Sequence, residues 1–284
     1  MRARFCETLS AWRLIVDSRN LRSAVRHRSG FIMRYRGDID GLRALAVLAV
    51  MLYHLDARWL PGGFVGVDVF FAISGFVVCA SLDSSAKRDF LGFISEFYSR
   101  RLARIVPALV VTLLATSAMA TLFIPRAWLS DFSDRTVRYA YVGLSNWVLL
   151  NNSDTYFAPR AELNPYTHTW SLGIEEQFYL MFPPLCFLWV RAKSPGIKAL
   201  PATGVVTLLA LVGSISLVGS KWATVGQPAA AFYSVAYRFW ELASGALLYQ
   251  VSVGGRAPVL SRLRLLPNLG PWFGLTAIGG ALIF

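Results

Sequence analysis

Long apolar runs separated by short polar segments make up most of the chain after residue 38. A hydrocarbon core about 30 Å thick is spanned by roughly 20 largely apolar residues in a helix. Runs of about this length occupy 39–57, 64–82, 103–124, 169–190, 203–220, 231–252 and 268–284. The pattern predicts an all-α, polytopic transmembrane helix bundle with about seven spans. Because the last run is still apolar at Phe284, we expect the chain to stop part-way through a larger bundle.

The composition supports a membrane protein over a nucleic-acid-binding one. Of the 284 residues, 55% are hydrophobic and 15% charged, whereas soluble domains carry about 25% charged residues. The net charge is +12, but the basic residues lie between the apolar runs, as expected for loops that face anionic lipid head groups. The three cysteines form no CxxC pair and no His/Cys cluster, so no metal site or disulfide framework is predicted. Cys79 and Cys186 lie in apolar runs and are expected to be packing residues.

The first 33 residues differ from the rest of the chain. They contain only two acids and lack the apolar segment of a secretory signal peptide. Their arginines are Arg2, Arg4, Arg13, Arg19, Arg22, Arg26 and Arg28. Residues 1–33 are therefore either a basic, membrane-surface extension or a product of start-site choice, with Met33 as the true beginning. Residues 34–284 are expected to form one transmembrane domain, itself incomplete.

The distribution of Lys and Arg predicts the orientation of the bundle. The loops at 83–102, 191–202 and 253–267 are basic and are expected to be cytoplasmic, together with the N-terminus. This alternation requires that 136–150 does not cross the membrane. We therefore interpret 125–168 as one extracytoplasmic excursion that contains an interfacial or re-entrant helix.

Two polar residues in the first run and one in the second form a candidate catalytic group. Arg43 and His54 are eleven residues apart, so they share nearly one helix face, roughly 16 Å apart along the axis. If the first two helices are antiparallel, Asp68 lies at the depth of His54, where a carboxylate can orient an imidazole that acts as general base. The alternatives are a snorkelling Arg43, a packing or capping His54, and an Asp68 that caps its own helix or binds Arg58.

Three arginines stand at the start of the third run. Arg100 and Arg101 each share a helix face with Arg104, at i,i+4 and i,i+3. Three guanidinium groups suit a phosphorylated ligand, because each can bind phosphate oxygens in a bidentate way. The same residues are equally explained as a cytoplasmic topology signal.

Polar residues also mark the fourth and sixth runs. His168, Ser171 and Glu175 fall on one stripe of a helix, which suits a polar site or a sugar-binding mouth better than a lipid-facing surface. Carboxylates at the start of a span are also favoured by the helix dipole alone. Arg238 and Glu241 lie one turn apart and are predicted to form an intramembrane ion pair.

Five segments in order give the chain a family resemblance. They are YRGDIDGLRALAVLAVMLYH, GGFVGVDVFFAISGF, RRLARIVPAL, HTWSLGIEEQFYL and RFWELASGALL, between about Tyr35 and Tyr249. The chain resembles the acyltransferase family 3 membrane proteins, which modify cell-surface glycans and other acceptors. It has fewer spans than the roughly ten of that family, and its basic extension is unusual.

The resemblance implies a reaction and a set of residues. An acyl group, commonly acetyl, moves from a cytoplasmic acyl-CoA, which is a donor substrate and not a bound cofactor, to a hydroxyl of an extracytoplasmic glycan. The acceptor classes are the O-antigen of lipopolysaccharide, peptidoglycan and exopolysaccharide, at the bacterial inner membrane. The matching positions are Arg43, His54, Asp68, Arg100, Arg101, Arg104, Ser171 and Glu175. On this reading the arginines hold donor phosphates, His54 is general base or transient acyl carrier, and Asp68 or Glu175 orients the histidine or the sugar.

A transporter or flippase of a glycan or lipid-linked intermediate is the alternative from another class. Transporters commonly show repeat symmetry and helices interrupted at mid-membrane, and we find neither pattern in the sequence. A bare membrane scaffold leaves His54, Asp68 and Glu175 without an explanation.

Overall fold

The computed structural model describes residues 37–84, 89–125, 131–152, 163–192, 202–253 and 280. The basic extension at 1–33 lies outside the described residues, as does all of the run at 268–284 except Gly280. Every regular element within the described ranges is helical, in agreement with the all-α prediction.

Nine α-helices follow one another along the described ranges. They are α1 Gly37–Leu55, α2 Gly66–Asp83, α3 Phe90–Phe123, α4 Asp131–Ala140, α5 Ser145–Asn152, α6 Thr169–Ala192, α7 Ala202–Gly226, α8 Pro228–Tyr233 and α9 Val235–Val253, with a 3₁₀ turn at Gly63–Val65 before α2. Each of the first six apolar runs therefore coincides with a helix. Three segments, Gly63–Asp83, Phe90–Phe123 and Ala202–Gly226, are long and apolar enough to cross a membrane.

Two helix boundaries differ from the sequence prediction. Residues 90–102, predicted as part of a basic loop, are the first turns of α3, because Phe93 and Phe97, four residues apart, lie on one helix face that packs into the core. The run at 231–252 is divided into α8 and α9 at Ser234, whose extended backbone (φ −92°, ψ 131°) ends α8.

Helix α3 runs antiparallel to α6. The ring of Phe93 packs on that of Phe187 with centroids 5.2 Å apart, and the hydroxyls of Ser117 and Tyr166 lie 2.9 Å apart. Residue numbers thus rise along α3 as they fall along α6. The chain between the two helices therefore leaves and re-enters the bundle at the same end.

The excursion at 125–168 contains two short helices in place of the single one predicted at 136–150. Helices α4 and α5 have 10 and 8 residues, or about 15 and 12 Å, which is half of the hydrocarbon thickness or less. They are separated by a turn at Gly143, whose positive φ of 70° favours glycine. Neither helix is long enough by itself to cross a membrane.

Contacts between the other helices give their relative directions. Gly63 and Gly66 pack against the backbone of Ala49 and Ala46, so the start of α2 is antiparallel to α1. Helix α2 is parallel to α6, as shown by the thiols of Cys79 and Cys186 at 4.0 Å and the rings of Phe71 and Trp170 at 6.1 Å. Helix α7 is antiparallel to α9, since Gly213 lies beside Ala243 and Gly219 beside Tyr237. We call the end where α1 and α3 finish and α2, α6 and α9 begin the histidine end.

Helices α2 and α9 are parallel, because Asp68 bonds Arg238 near their starts and Asp83 bonds Tyr249 near their ends, and they cross with their backbones in direct contact. A Cβ on Gly75 would clash with the carbonyl oxygen of Leu242, and one on Gly245 with that of Ala72. Small residues at a crossing allow such close approach. This crossing fixes the first turns of α2 and α9 relative to each other, and those turns carry Asp68 and Arg238.

Candidate functional site

A cavity of about 630 Å³ opens at the histidine end. We call it the histidine chamber. Its polar lining includes His54, His168, Ser171 and Arg238, and its aromatic lining includes Trp170 and Phe232. The structure thus brings together three of the residues predicted from sequence, from α1, from the turn before α6 and from α6 itself.

The two histidines of the chamber are in contact, and the tautomer of one is fixed. The rings of His54 and His168 meet edge to face, with centroids 4.8 Å apart. Nδ1 of His54 lies 2.8 Å from the backbone oxygen of Val50. A carbonyl oxygen only accepts, so Nδ1 carries the proton and donates. In the neutral ring, Nε2 is then the nitrogen with a lone pair, and it can accept a proton from a ligand.

His168 is biased towards its neutral form. It precedes α6 in a turn, and burial lowers its pKa, with His54 lowering that pKa further. Two imidazoles in contact disfavour a second positive charge. A neutral His168 therefore adds hydrogen-bonding capacity to the chamber without adding charge.

Asp68 is bonded to Arg238, and the predicted pairing of Asp68 with His54 was wrong. Within the described residues, the hydrogen bonds of Asp68 go to Nη1 of Arg238 and not to the imidazole. The same Nη1 donates to both oxygens of Glu241, at 2.9 and 3.0 Å, which confirms the predicted ion pair one turn along α9. The physical reason is the crossing of α2 and α9, which places a buried cation beside Asp68, whereas His54 already has Val50 as its partner.

The alternative partner suggested for Asp68 is engaged elsewhere. Arg58 binds Asp56 through both carboxylate oxygens, at 2.6 to 3.1 Å. This exposed pair lowers the pKa of Asp56, because the guanidinium favours the ionised carboxylate. It lies in the turn between α1 and α2, outside the helices.

A second group of polar residues lies deeper in the bundle. We call it the inner cluster: Arg43, Ser74, Arg101, Glu175 and Tyr179. Glu175 is 6% exposed, its carboxylate lies beside the hydroxyls of Ser74 and Tyr179, and the charges of Arg101 and Arg43 act on it. Among the described residues, Oε1 of Glu175 and Nε of Arg43 make no hydrogen bond. Buried polar atoms are normally bonded, so these two mark the cluster as a place for a ligand or water.

The two arginines of the inner cluster are held on aromatic rings. The guanidinium of Arg101 lies 4.8 Å from the ring centre of Tyr179 and 5.6 Å from that of Phe97, and Arg43 lies 5.7 Å from Phe70. Cation–π contacts of this kind orient a guanidinium and leave its N–H groups available.

The arginine trio of α3 does not form one patch. Only Arg101 belongs to the inner cluster; Arg104 is exposed, and Arg100 pairs with Glu96 at 3.2 Å. Successive residues on a helix point about 100° apart, so Arg100 and Arg101 face different directions. The trio begins ten residues after the start of α3 at Phe90, roughly 15 Å along the helix. The trio therefore lies within α3 and not in its first turn.

The inner cluster lies below the histidine chamber along the bundle axis. Arg43 and His54 are eleven residues apart on α1, about 16 Å. Tyr179 is ten residues from the start of α6, a depth of about 15 Å. A separate groove of about 480 Å³ beside α3 is lined by Arg101, Tyr179 and Gln177.

Several site residues were missed by the sequence reasoning. Ser74 and Tyr179 look like ordinary residues of apolar runs, and their hydroxyls lie 3.2 Å apart only because α2 packs against α6. Asn146 accepts from Nε2 of Gln177 at 2.8 Å and donates to the carbonyl of Tyr233 at 3.0 Å, tying α5 to α6 and α8. No local sequence signal marks these contacts, which join positions at least 31 residues apart. Among the described residues, no group of three or more His, Cys, Asp or Glu side chains could hold a metal ion.

An all-helical bundle with candidate membrane spans and two internal polar sites is the class that the structure defines. The profile of acyltransferase family 3, described as an acyltransferase domain, matches residues 36–284. The chain belongs to this family.

Similar proteins carry O-acetyltransferase names. The chain is 31% identical over 245 residues to the peptidoglycan O-acetyltransferase OatA of Listeria monocytogenes, which covers 84% of this chain and 38% of that protein. It is 41% identical over 161 residues to the O-acetyltransferase OatA of Staphylococcus aureus, covering 56% of this chain and 26% of that protein. The chain thus spans less than half the length of these relatives. No solved structure matches it.

Proposed function

We propose that this chain is the membrane domain of an O-acetyltransferase that moves an acetyl group from a cytoplasmic acyl-CoA to a hydroxyl of an extracytoplasmic cell-surface glycan. The observation that carries the proposal is the stacking of a histidine chamber, with a proton-accepting Nε2 on His54, above a buried cluster containing Arg43 and Arg101. The relatives' names favour peptidoglycan as acceptor; the O-antigen of lipopolysaccharide and exopolysaccharide are the other acceptor classes.

The proposal includes an orientation in the bacterial inner membrane. Helices α1, α2, α3, α6, α7 and α9 cross the bilayer, with the N-terminus cytoplasmic and the histidine end outside. The alternating directions of the helix pairs support this arrangement, and so do the basic loops at the other end. The polar side chains of α1, α6 and α9 then face the bundle interior, where charged groups in a membrane are tolerated.

The inner cluster is proposed to hold the phosphates of the donor. Arg43 and Arg101 provide guanidinium groups fixed on aromatic rings, and phosphate is the ligand that such groups bind best. Arg100 and Arg104 contribute from the α3 surface by attracting the polyanion. With the phosphates at this depth, the pantetheine arm has to cover about 16 Å to bring the thioester to the chamber.

The histidine chamber is proposed to hold the reacting groups. Nε2 of His54 takes the proton of the acceptor hydroxyl while the hydroxyl oxygen attacks the acyl carbon. The ester C–O bond forms and the thioester C–S bond breaks. The proton passes from His54 to the sulfur, and CoA leaves as the thiol. In the variant with an acyl carrier, Nε2 itself attacks first. Ser171 and His168 provide hydrogen bonds to the sugar, and Asp68 acts by holding Arg238 in the chamber wall.

Glu175 is proposed to act within the inner cluster on both the arginines and the donor. Its buried carboxylate faces the charges of Arg101 and Arg43 and keeps one oxygen unbonded. It is therefore placed to fix the arginines and to bond a donor amide along the pantetheine arm.

The test is release of the CoA thiol by protein purified in detergent and supplied with acetyl-CoA and soluble peptidoglycan fragments. His54→Ala should lower the rate by a factor of about 10² to 10⁴, the usual contribution of a general base. Leu55→Ala is the matched control, because Leu55 occupies the same last turn of α1 and is 72% exposed. Equal thiol release by the wild type and His54→Ala would overturn the catalytic assignment, and no release by the wild type would favour a transporter.

A further inference from the structure

Arg238 is the most enclosed charged residue of the histidine chamber. It is 9% exposed, and its guanidinium lies over the rings of Trp170 and Phe232, at 5.3 and 5.0 Å from their centres. These rings and the α2–α9 crossing hold the guanidinium plane at the chamber wall. The side chain is therefore fixed before any ligand arrives.

Two of the three guanidinium nitrogens of Arg238 are occupied. Nη1 donates to Asp68 and to Glu241, and Nε donates to the carbonyl of Phe232 at 3.2 Å. Nη2 makes no hydrogen bond to the described residues, although it carries two N–H groups. A fixed donor at a cavity wall without a protein acceptor points to an acceptor on the ligand.

The charge of the surroundings selects the kind of acceptor. Arg238 is matched by two carboxylates, so the group of three has no excess positive charge. The inner cluster has the opposite balance, with Arg43 and Arg101 against Glu175, a formal charge of +1. A phosphate is therefore favoured at the inner cluster, which has the excess positive charge, whereas the one unbonded nitrogen of Arg238 suits a single carbonyl oxygen whose charge grows only during the reaction.

We propose that Nη2 of Arg238 binds the acyl carbonyl oxygen of the donor in the histidine chamber and stabilises the oxyanion formed there. This proposal rests on the proposed function. As the hydroxyl oxygen attacks, the carbonyl π electrons move onto the oxygen bound by Nη2; they return when the C–S bond breaks. A preorganised donor aimed at developing charge is a main source of catalysis in acyl transfer. Arg238 is thereby a further catalytic residue.

The test compares donor binding with donor turnover in Arg238→Lys. Lysine keeps the cation that Asp68 and Glu241 need, so the buried carboxylates are not left unpaired, but it removes the second donor nitrogen. We expect kcat to fall roughly 10²-fold with acetyl-CoA, and its KM to rise by no more than about tenfold, the share of one hydrogen bond to the carbonyl of the bound donor. Arg58→Lys is the matched control, because Arg58 is an exposed arginine at the same end, bound to Asp56.

A binding measurement separates this role from a structural one. Wild type should bind acetyl-CoA about tenfold more tightly than S-ethyl-CoA, which has no carbonyl, in line with the loss of one charge-assisted hydrogen bond. Arg238→Lys should bind both equally. Equal binding of the two compounds by the wild type would overturn the proposal, whereas absence of binding of either would instead count against the proposed function.

The source of the carbonyl is tested by omitting the glycan. If Nη2 binds the donor, Arg238→Lys slows hydrolysis of acetyl-CoA by water as much as transfer to peptidoglycan fragments. Loss of transfer with unchanged hydrolysis would mean that Arg238 binds a carbonyl of the acceptor, and would overturn the assignment to the donor.

Discussion

The arginines of this bundle differ in their surroundings. Arg101 lies on the ring of Tyr179 near Glu175, Arg100 is paired with Glu96, and Arg238 is shared between two carboxylates. The sequence shows only that arginines occur within or beside apolar runs. Which of them can bind a ligand depends on helix rotation and on partners far along the chain, so local spacing could not separate them.

Arg101→Ala should weaken use of the donor far more than Arg100→Ala. Loss of a charge-assisted hydrogen bond to phosphate corresponds to about 1.5–3 kcal/mol, or roughly 10- to 100-fold in binding. We therefore expect the KM for acetyl-CoA to rise by that factor in Arg101→Ala. The measurement is the thiol-release rate as a function of acetyl-CoA concentration.

Arg100→Ala is the control for this comparison, because it removes the same charge from the adjacent position of α3. Its expected change in KM is less than threefold, since Arg100 is partly exposed and solvent screens such charges. Equal effects of the two substitutions would show that α3 acts only through its net charge and that the inner cluster does not hold the donor.

At the scale of helices, most of the fold follows from apolar length, and the exceptions have local causes. The runs at 39–57, 64–82 and 169–190 match α1, α2 and α6 within two residues at each end, because about 20 apolar residues suffice to predict a long apolar helix. The start of α3 was missed because its apolar stripe is mixed with charges, so that composition resembles a loop while the helical period is retained. The neighbour of each helix could not be predicted, since a glycine permits close contact with another helix but does not specify which helix that is.

Gly245→Ala should destabilise the bundle by separating α2 from α9. The added Cβ would meet the backbone of Ala72 and Phe76, which cannot move aside as a flexible side chain can. Overpacking usually costs about 1–3 kcal/mol, and a rigid backbone contact should reach the upper end. We expect a lower midpoint of thermal unfolding in detergent, together with reduced acetyl transfer, because Asp68 and Arg238 move apart.

Gly41→Ala is the matched substitution, since it changes a glycine inside α1 with no neighbouring atom within 4 Å. It should be neutral or stabilising by up to about 1 kcal/mol, the difference in helix propensity between the two residues. A similar loss of stability in both variants would contradict the argument that close packing of α2 and α9 is the cause.

At the scale of the whole molecule, the helix directions place the two polar sites in order along the bundle. The histidine chamber lies where α1 ends and α6 begins, and the inner cluster lies about 15 Å further in. The relative directions of the helices follow from their packing, whereas the assignment of one end of the bundle to the cytoplasm rests on the basic loops. A donor entering from the cytoplasm would therefore meet Arg101 and Arg43 before it reaches His54.

The proposed orientation predicts the accessibility of single cysteines in intact cells. Asn152→Cys, at the end of α5, should react with a membrane-impermeant maleimide without permeabilisation, because α5 belongs to the excursion at the histidine end. Ser84→Cys, exposed at the other end of α2, should react only after permeabilisation. Both are made in a Cys6→Ser background, in which the remaining Cys79 and Cys186 are fully buried. The reverse labelling pattern would show that the bundle has the opposite orientation in the membrane. The histidine chamber would then lie on the cytoplasmic side, with the donor, and not on the side of the glycan.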